Sequence, residues 1–118
     1  MFYLSNAFSI NMFSTFPKER KEMIFEPISL EVAREKVAAI LPVMTIGHPD
    51  TAYNAAVLLG MPEHAENWAT LAKTRYNLKL GKLDILLVIQ YRGERLKEGT
   101  TELPTDAELE FWLVYENW

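Results

Sequence analysis

The chain has 118 residues, 49% hydrophobic, 24% charged and 12% aromatic, a balance that excludes the disordered, collagen-like and disulfide-stapled classes. At this length it supports one core, and the expectation is a single domain over residues 1–118. A net charge of −4 argues against coating of long nucleic acid by charge alone, and the lack of cysteine removes disulfides and thiolate metal ligands and suits a reducing cytoplasm.

A first strand is indicated at Phe2–Leu4. Directly after it, Ser5, Asn6, Ser9 and Asn11 interrupt an apolar run; such small hydrogen-bonding residues either cap a short helix or contact a ligand at a strand end. Met23–Ile28 reads as a second strand. From Leu30 to Leu41 the helical period places Leu30, Ala33, Val37, Ile40 and Leu41 on one stripe, with Ser29 as N-cap and Pro42 as the stop. A second helix is expected to begin at Pro49, which loses nothing by lacking an N–H in the first turn, and to end near Gly60. His48 then occupies its N-cap. The polar stretch Met61–Asn67 reads as a solvated loop or helix start, and its His64 as structural.

Two further strands, Arg75–Leu80 and Asp84–Tyr91, are expected to form a hairpin through Gly81-Lys82. The run Ile85–Ile89 has no alternation, as in a central strand covered on both faces. It is also far shorter than the ~20 residues that span a bilayer, and Met1–Asn6 has no basic lead-in of a secretion signal, so neither membrane nor export is expected. The closing segment Leu109–Tyr115 is apolar on both sides, which calls for helices on each face or cover from a partner subunit. Together these elements predict an α/β fold: one domain with a mixed sheet of about five strands flanked by helices.

No Walker loop, nucleophile elbow or zinc-binding spacing is present, so neither a metal nor a cofactor is predicted. Two segments stand out instead. In Thr45–Thr51 a glycine-containing loop brings His48 to a helix N-terminus, where the amides of Asp50 and Thr51 and the helix dipole favour a phosphate. The plain alternative is that His48 only caps the helix while Asp50 complements its dipole. In Gln90–Gly99 the central strand runs into a charged loop between two glycines; Arg95 there can fork onto a phosphate and Glu98 orient a hydroxyl, or the segment is a solvated turn with weak surface pairs.

Leu4-Ser5-Asn6-Ala7-Phe8-Ser9-Ile10-Asn11-Met12, Ile46-Gly47-His48 with the following helix, and Arg95-Leu96-x-Glu98-Gly99, in this order and spacing, resemble the viral ring nucleases known as type III anti-CRISPR proteins. The resemblance spans most of the chain, but residues 61–74 match the family poorly. It implies a homodimer that encloses and cleaves cyclic tetra-adenylate, a second messenger of type III CRISPR immunity, acting in the cytoplasm, that of the host if a virus encodes it. The family's catalytic histidine, arginine and glutamate fall on His48, Arg95 and Glu98, and its ligand cleft on Asn6, Ser9 and Asn11. Gly47, Thr51 and Gln90 complete the set of ligand-binding candidates.

The chemistry suits these residue types. An RNA-type phosphodiester carries its nucleophile, the 2′-hydroxyl, already tethered beside phosphorus, so holding it in line supplies much of the acceleration. A protonated His48 would donate to the departing 5′-oxygen, Arg95 would stabilise charge on the phosphorane oxygens, and Glu98 would hold the 2′-hydroxyl or Arg95 itself. The alternative function is a non-catalytic protein that sequesters the same nucleotide or grips duplex nucleic acid, for which Lys18, Arg20, Lys21, Arg92 and Arg95 would have to form a basic face.

Overall fold

In a computed structural model, residues 1–12, 22–74, 76–91 and 109–117 are described. Five strands form one mixed sheet: β1 (Phe2–Ser5), β2 (Met23–Ile28), β3 (Val43–Met44), β4 (Ile85–Tyr91) and β5 (Leu109–Glu116), in the order β2-β5-β4-β1-β3. β1 runs parallel to both β3 and β4, and β5 runs antiparallel to β4 and β2. The helices are α1 (Leu30–Ala39), α2 (Pro49–Leu58) and α3 (Ala65–Ala72), with short 3-10 turns at Ile10–Met12 and Pro62–His64. This is the α/β architecture expected from the sequence.

Strand alternation divides the core into two. On one face Leu4, Leu87 and Leu113 meet Val37 of α1, Ala52 and Ala56 of α2, and Trp68 of α3. Alanines on the inner sides of the helices let them approach closely, and the long side chains of the sheet fill the layer between. On the other face Leu86, Val88 and Val114 are covered by Phe8, Met12, Leu78 and Leu80, which come from a short 3-10 turn and irregular chain rather than from an α-helix. β4 lies in the middle of the sheet with Leu86, Leu87 and Val88 all buried, which is why its sequence shows no period of two.

Three expectations need correction. Residues 76–79 form no strand and Leu80 makes only an isolated bridge, its N–H donating to the Met12 carbonyl; both edges of β4 are already taken by β1 and β5, so no place remains for a hairpin partner. Arg75 lies outside the described residues. Ile40 and Leu41 are not core residues: they are 64% and 51% exposed, because α1 stops at Ala39 and Ile40 is already extended. Leu41 precedes Pro42, whose ring disfavours helical backbone before it, so the stripe ends one turn early. The two-residue strand β3 was not indicated by the sequence, being too short to show alternation.

Candidate functional site

Because β1, β3 and β4 are parallel, their carboxyl ends emerge on the same edge of the sheet, and that edge is where α/β proteins bind ligands. Asn6 follows β1, Thr45–His48 follow β3, and Gln90 is the penultimate residue of β4. Three segments far apart in sequence are thereby brought to one edge.

The exit from β3 is held tightly. Thr45 donates its N–H (2.9 Å) and its hydroxyl (2.7 Å) to the Leu4 carbonyl, and Ile46, 1% exposed, anchors the loop in the core. Beyond that anchor Gly47 and His48 are exposed. His48 occupies the N-cap of α2 with φ −114° and ψ 119°, yet its side chain makes no capping hydrogen bond. The first intrahelical bond is Ala52 N–H to the His48 carbonyl at 2.9 Å, so the amides of Asp50 and Thr51 precede it as free donors of the helix end. Asp50 is exposed in the first turn, and Thr51 is half-buried. The reading in which His48 serves only as a cap therefore lacks its hydrogen bond.

Of the four small polar residues at the end of β1 and after it, the side chains of two bond to the local backbone and the other two residues are exposed. Ser5 is buried and its hydroxyl accepts from Ala7 N–H at 3.3 Å; Ser9 accepts from Asn11 N–H at 3.3 Å and, through its carbonyl, from Met12 N–H at 3.0 Å. These two serines shape the turn. Asn6 and Asn11 are exposed, and the Asn11 carbonyl accepts from Lys79 Nζ at 2.9 Å. Arg95 and Glu98 lie outside the described residues.

On the sheet face away from the helices a cleft of about 390 Å3 opens at this edge. Its floor is Val88 and Val114, its walls are Phe8, Phe25 and Trp112, and Asn6 and Gln90 stand at it as polar groups. Phe8 and Phe25 meet edge to face, with centroids 5.4 Å apart and planes at 82°. The indole of Trp112 donates to Glu110 Oε2 at 3.1 Å, and Val88 faces Trp112 across the ladder. Asn6 and Gln90 were legible in the sequence as candidates, whereas the roles of Phe25 and Trp112 were not. The only sequence signal for them is a large aromatic at the non-helix register of β2 and β5. A second hollow, about 380 Å3, lies between Pro27–Leu30 and Leu109–Trp112 and holds none of the candidate residues.

At the opposite edge burial works against the Asp84 carboxylate, but the Gly81 N–H (2.6 Å) and the Met1 ammonium (2.9 Å) outweigh it and hold the group below the usual range. Burial, then the nearby Asp84 and Tyr76, push the Tyr3 phenol up. His64 stacks on Trp68 (6.1 Å, 27°) and lies 3.8 Å from Glu63, in keeping with its structural reading, and the stretch around it is a 3-10 turn leading into α3. Among the described residues, no helix is long and apolar enough to cross a membrane.

No curated protein matches the chain. Among solved structures, it is similar to B116 of Sulfolobus turreted icosahedral virus (STIV), with a TM-score of 0.71 and 26% sequence identity over 97% of each chain. B116 is thus a viral protein that shares the arrangement of strands and helices described above. The family described as STIV B116-like matches residues 2–116, and the chain belongs to that family.

Proposed function

We propose that this protein is a metal-independent ring nuclease that opens cyclic tetra-adenylate into linear di-adenylates with 2′,3′-cyclic phosphate ends and so switches off type III CRISPR signalling. The observation that carries the reading is His48: an exposed imidazole at a helix N-terminus, free of any capping bond, on the carboxyl edge that also presents Asn6 and Gln90. The amides of Asp50 and Thr51 suit one phosphate oxygen, and the glycine at 47 lets the backbone come close to it: a Cβ there would have nothing within 4 Å in the free protein, so its space is open to ligand.

In the reaction the 2′-oxygen attacks phosphorus, the phosphorus–5′-oxygen bond breaks, and the 5′-oxygen leaves with a proton from His48. The 2′-proton passes to solvent; Glu98 holds the 2′-hydroxyl or orients Arg95, and Arg95 stabilises the phosphorane. General acid catalysis of this kind is worth about 10²–10⁴-fold. Two copies related by a two-fold axis would present two His48 groups to opposite phosphates of a four-nucleotide ring. The resemblance of the three motif segments to the viral ring nucleases supports this reading, and membership of a family that includes a viral protein agrees with it.

The test is chromatography of cyclic tetra-adenylate incubated with the purified protein and EDTA. Conversion to di-adenylate is expected with wild type, and loss of at least about 10²-fold in single-turnover rate with retained ring binding is expected for His48→Ala. Binding without any conversion by wild type would reduce the protein to a sequestering one. Tight, salt-dependent binding of duplex DNA that the ring fails to displace would replace the reading altogether.

A further inference from the structure

Where β1 and β3 leave the sheet, one main-chain oxygen is held twice by the same residue. The Leu4 carbonyl accepts the Thr45 N–H at 2.9 Å, which continues the ladder between the two strands, and also the Thr45 hydroxyl at 2.7 Å. A carbonyl oxygen has two lone pairs, and here a side chain and its own backbone fill both. The ladder bond alone satisfies the Leu4 oxygen, so the hydroxyl bond is not required to avoid an unpaired buried group. What the second bond adds is geometric. It fixes the rotamer of Thr45 and the direction in which the two chains leave the sheet.

The chain on either side of this bond is anchored and then released. On β1, Leu4 is fully buried and pairs with Met44, and the Ser5 hydroxyl accepts from Ala7 N–H. On β3, Met44 Sδ accepts from Ile46 N–H at 3.1 Å, a thioether standing where an oxygen acceptor is usual, and Ile46 is buried. Beyond these anchors stand Asn6 on one side and Gly47 and His48 on the other, all exposed. His48 is also fixed from α2, because its carbonyl accepts from Ala52 N–H and Ala52 packs in the core. Asn6 is followed instead by irregular chain as far as the 3-10 turn at Ile10–Met12. We infer that Thr45 is a positioning residue of the nuclease: its hydroxyl fixes Asn6 relative to His48, so that a bound phosphodiester lies in line with the imidazole. Thr45 touches neither phosphate nor base in this role; it acts through the Leu4 carbonyl. Alignment of this kind matters steeply, since a displacement of about 1 Å from a change away from the reacting atoms can cost about 10²-fold in rate. The inference rests on the ring-nuclease reading for the reaction, whereas the ordering of the two strand exits by Thr45 is independent of it.

Two substitutions separate the hydroxyl from the rest of the side chain. Thr45→Val keeps the branched shape and removes the hydroxyl, while Thr45→Ser keeps the hydroxyl and removes the methyl group. Because the Leu4 oxygen retains its ladder bond in both, each is expected to fold with a Tm within about 5 °C of wild type. The single-turnover rate of Thr45→Val at saturating cyclic tetra-adenylate is expected to fall about 10- to 100-fold, with ring affinity, measured in the His48→Ala background, within about threefold of wild type. Thr45→Ser is expected to restore the rate to within about threefold. An unchanged rate in Thr45→Val, an equally low rate in Thr45→Ser, or a joint loss of affinity and Tm overturns the positioning role.

The second readout requires no substrate. The 15N order parameter of the Asn6 amide is compared in the three proteins, with that of Ala55, inside α2, as the control. In wild type and Thr45→Ser the Asn6 value is expected near the rigid backbone value of about 0.85, and in Thr45→Val it is expected to fall toward about 0.6 while Ala55 stays unchanged. Should wild type leave the cyclic ring intact, the nuclease reading fails and this measurement alone decides whether Thr45 orders the strand exits: equal Asn6 values in wild type and Thr45→Val overturn it. Cleavage lost in His48→Ala but retained in full by Thr45→Val would leave the nuclease standing and remove Thr45 from it.

Discussion

His48 and Ser29 occupy the same position relative to a helix, and they do different things there. Ser29 Oγ accepts from Val32 N–H at 3.2 Å and so serves α1 as a cap, while the imidazole of His48 makes no such bond to α2. A side chain released from capping at an exposed helix end can act on a ligand. The donor role requires the imidazolium, so single-turnover cleavage is expected to fall as pH rises; a profile flat from pH 5 to about 9 removes His48 as the acid. Asp84 gives a prediction of the opposite sign. Its carboxyl is held below the unfolded value of about 3.9, so the stability it contributes is complete above that value and is lost as pH falls through the folded one. Asp84→Asn is expected to cost about 1 kcal/mol at pH 7, at the low end for a charged hydrogen bond because solvent reaches the site, and progressively less as pH falls below about 3.9. Urea denaturation of both proteins across that interval measures it.

At the scale of elements, the helix starts were the most readable features, since a cap, a proline and the first apolar period are all local. Both α1 after Ser29 and α2 at Pro49 begin where the sequence places them. Ser29→Ala is expected to lose about 1 kcal/mol, seen as a lower Tm, whereas His48→Ala, which breaks no cap bond, is expected to leave Tm within a degree or so. Helix ends were less readable: the period continues through Ile40 and Leu41, but Pro42 acts on the backbone before the stripe is complete. The Arg75–Leu80 segment misled for a related reason. Leu78 and Leu80 are buried, as strand residues would be, but they reach that burial by lying across Leu86 and Val88 rather than by pairing with β4.

For the whole molecule, the parallel set β3-β1-β4 determines where the candidate residues meet, and the antiparallel pair β5-β2 supplies the aromatic wall beside them. A homodimer with two equivalent His48 sites is expected to give di-adenylates as the sole end product and to sediment as a dimer at micromolar concentration. A linear tetramer as the end product would exclude two equivalent cuts.

The sequence by itself determined the segments that form strands β1, β2, β4 and β5, the starts of α1 and α2, and the candidates His48, Asn6 and Gln90, because hydrophobic period, capping and turn chemistry act over a few neighbouring residues. Strand order, the choice of β1 and β5 as the neighbours of β4, and the placing of Phe25 and Trp112 in one cleft were decided only by the tertiary structure. Those depend on which strand edges and faces find partners across the chain, and pairing between residues such as Phe25 and Val114 leaves no local mark in the sequence.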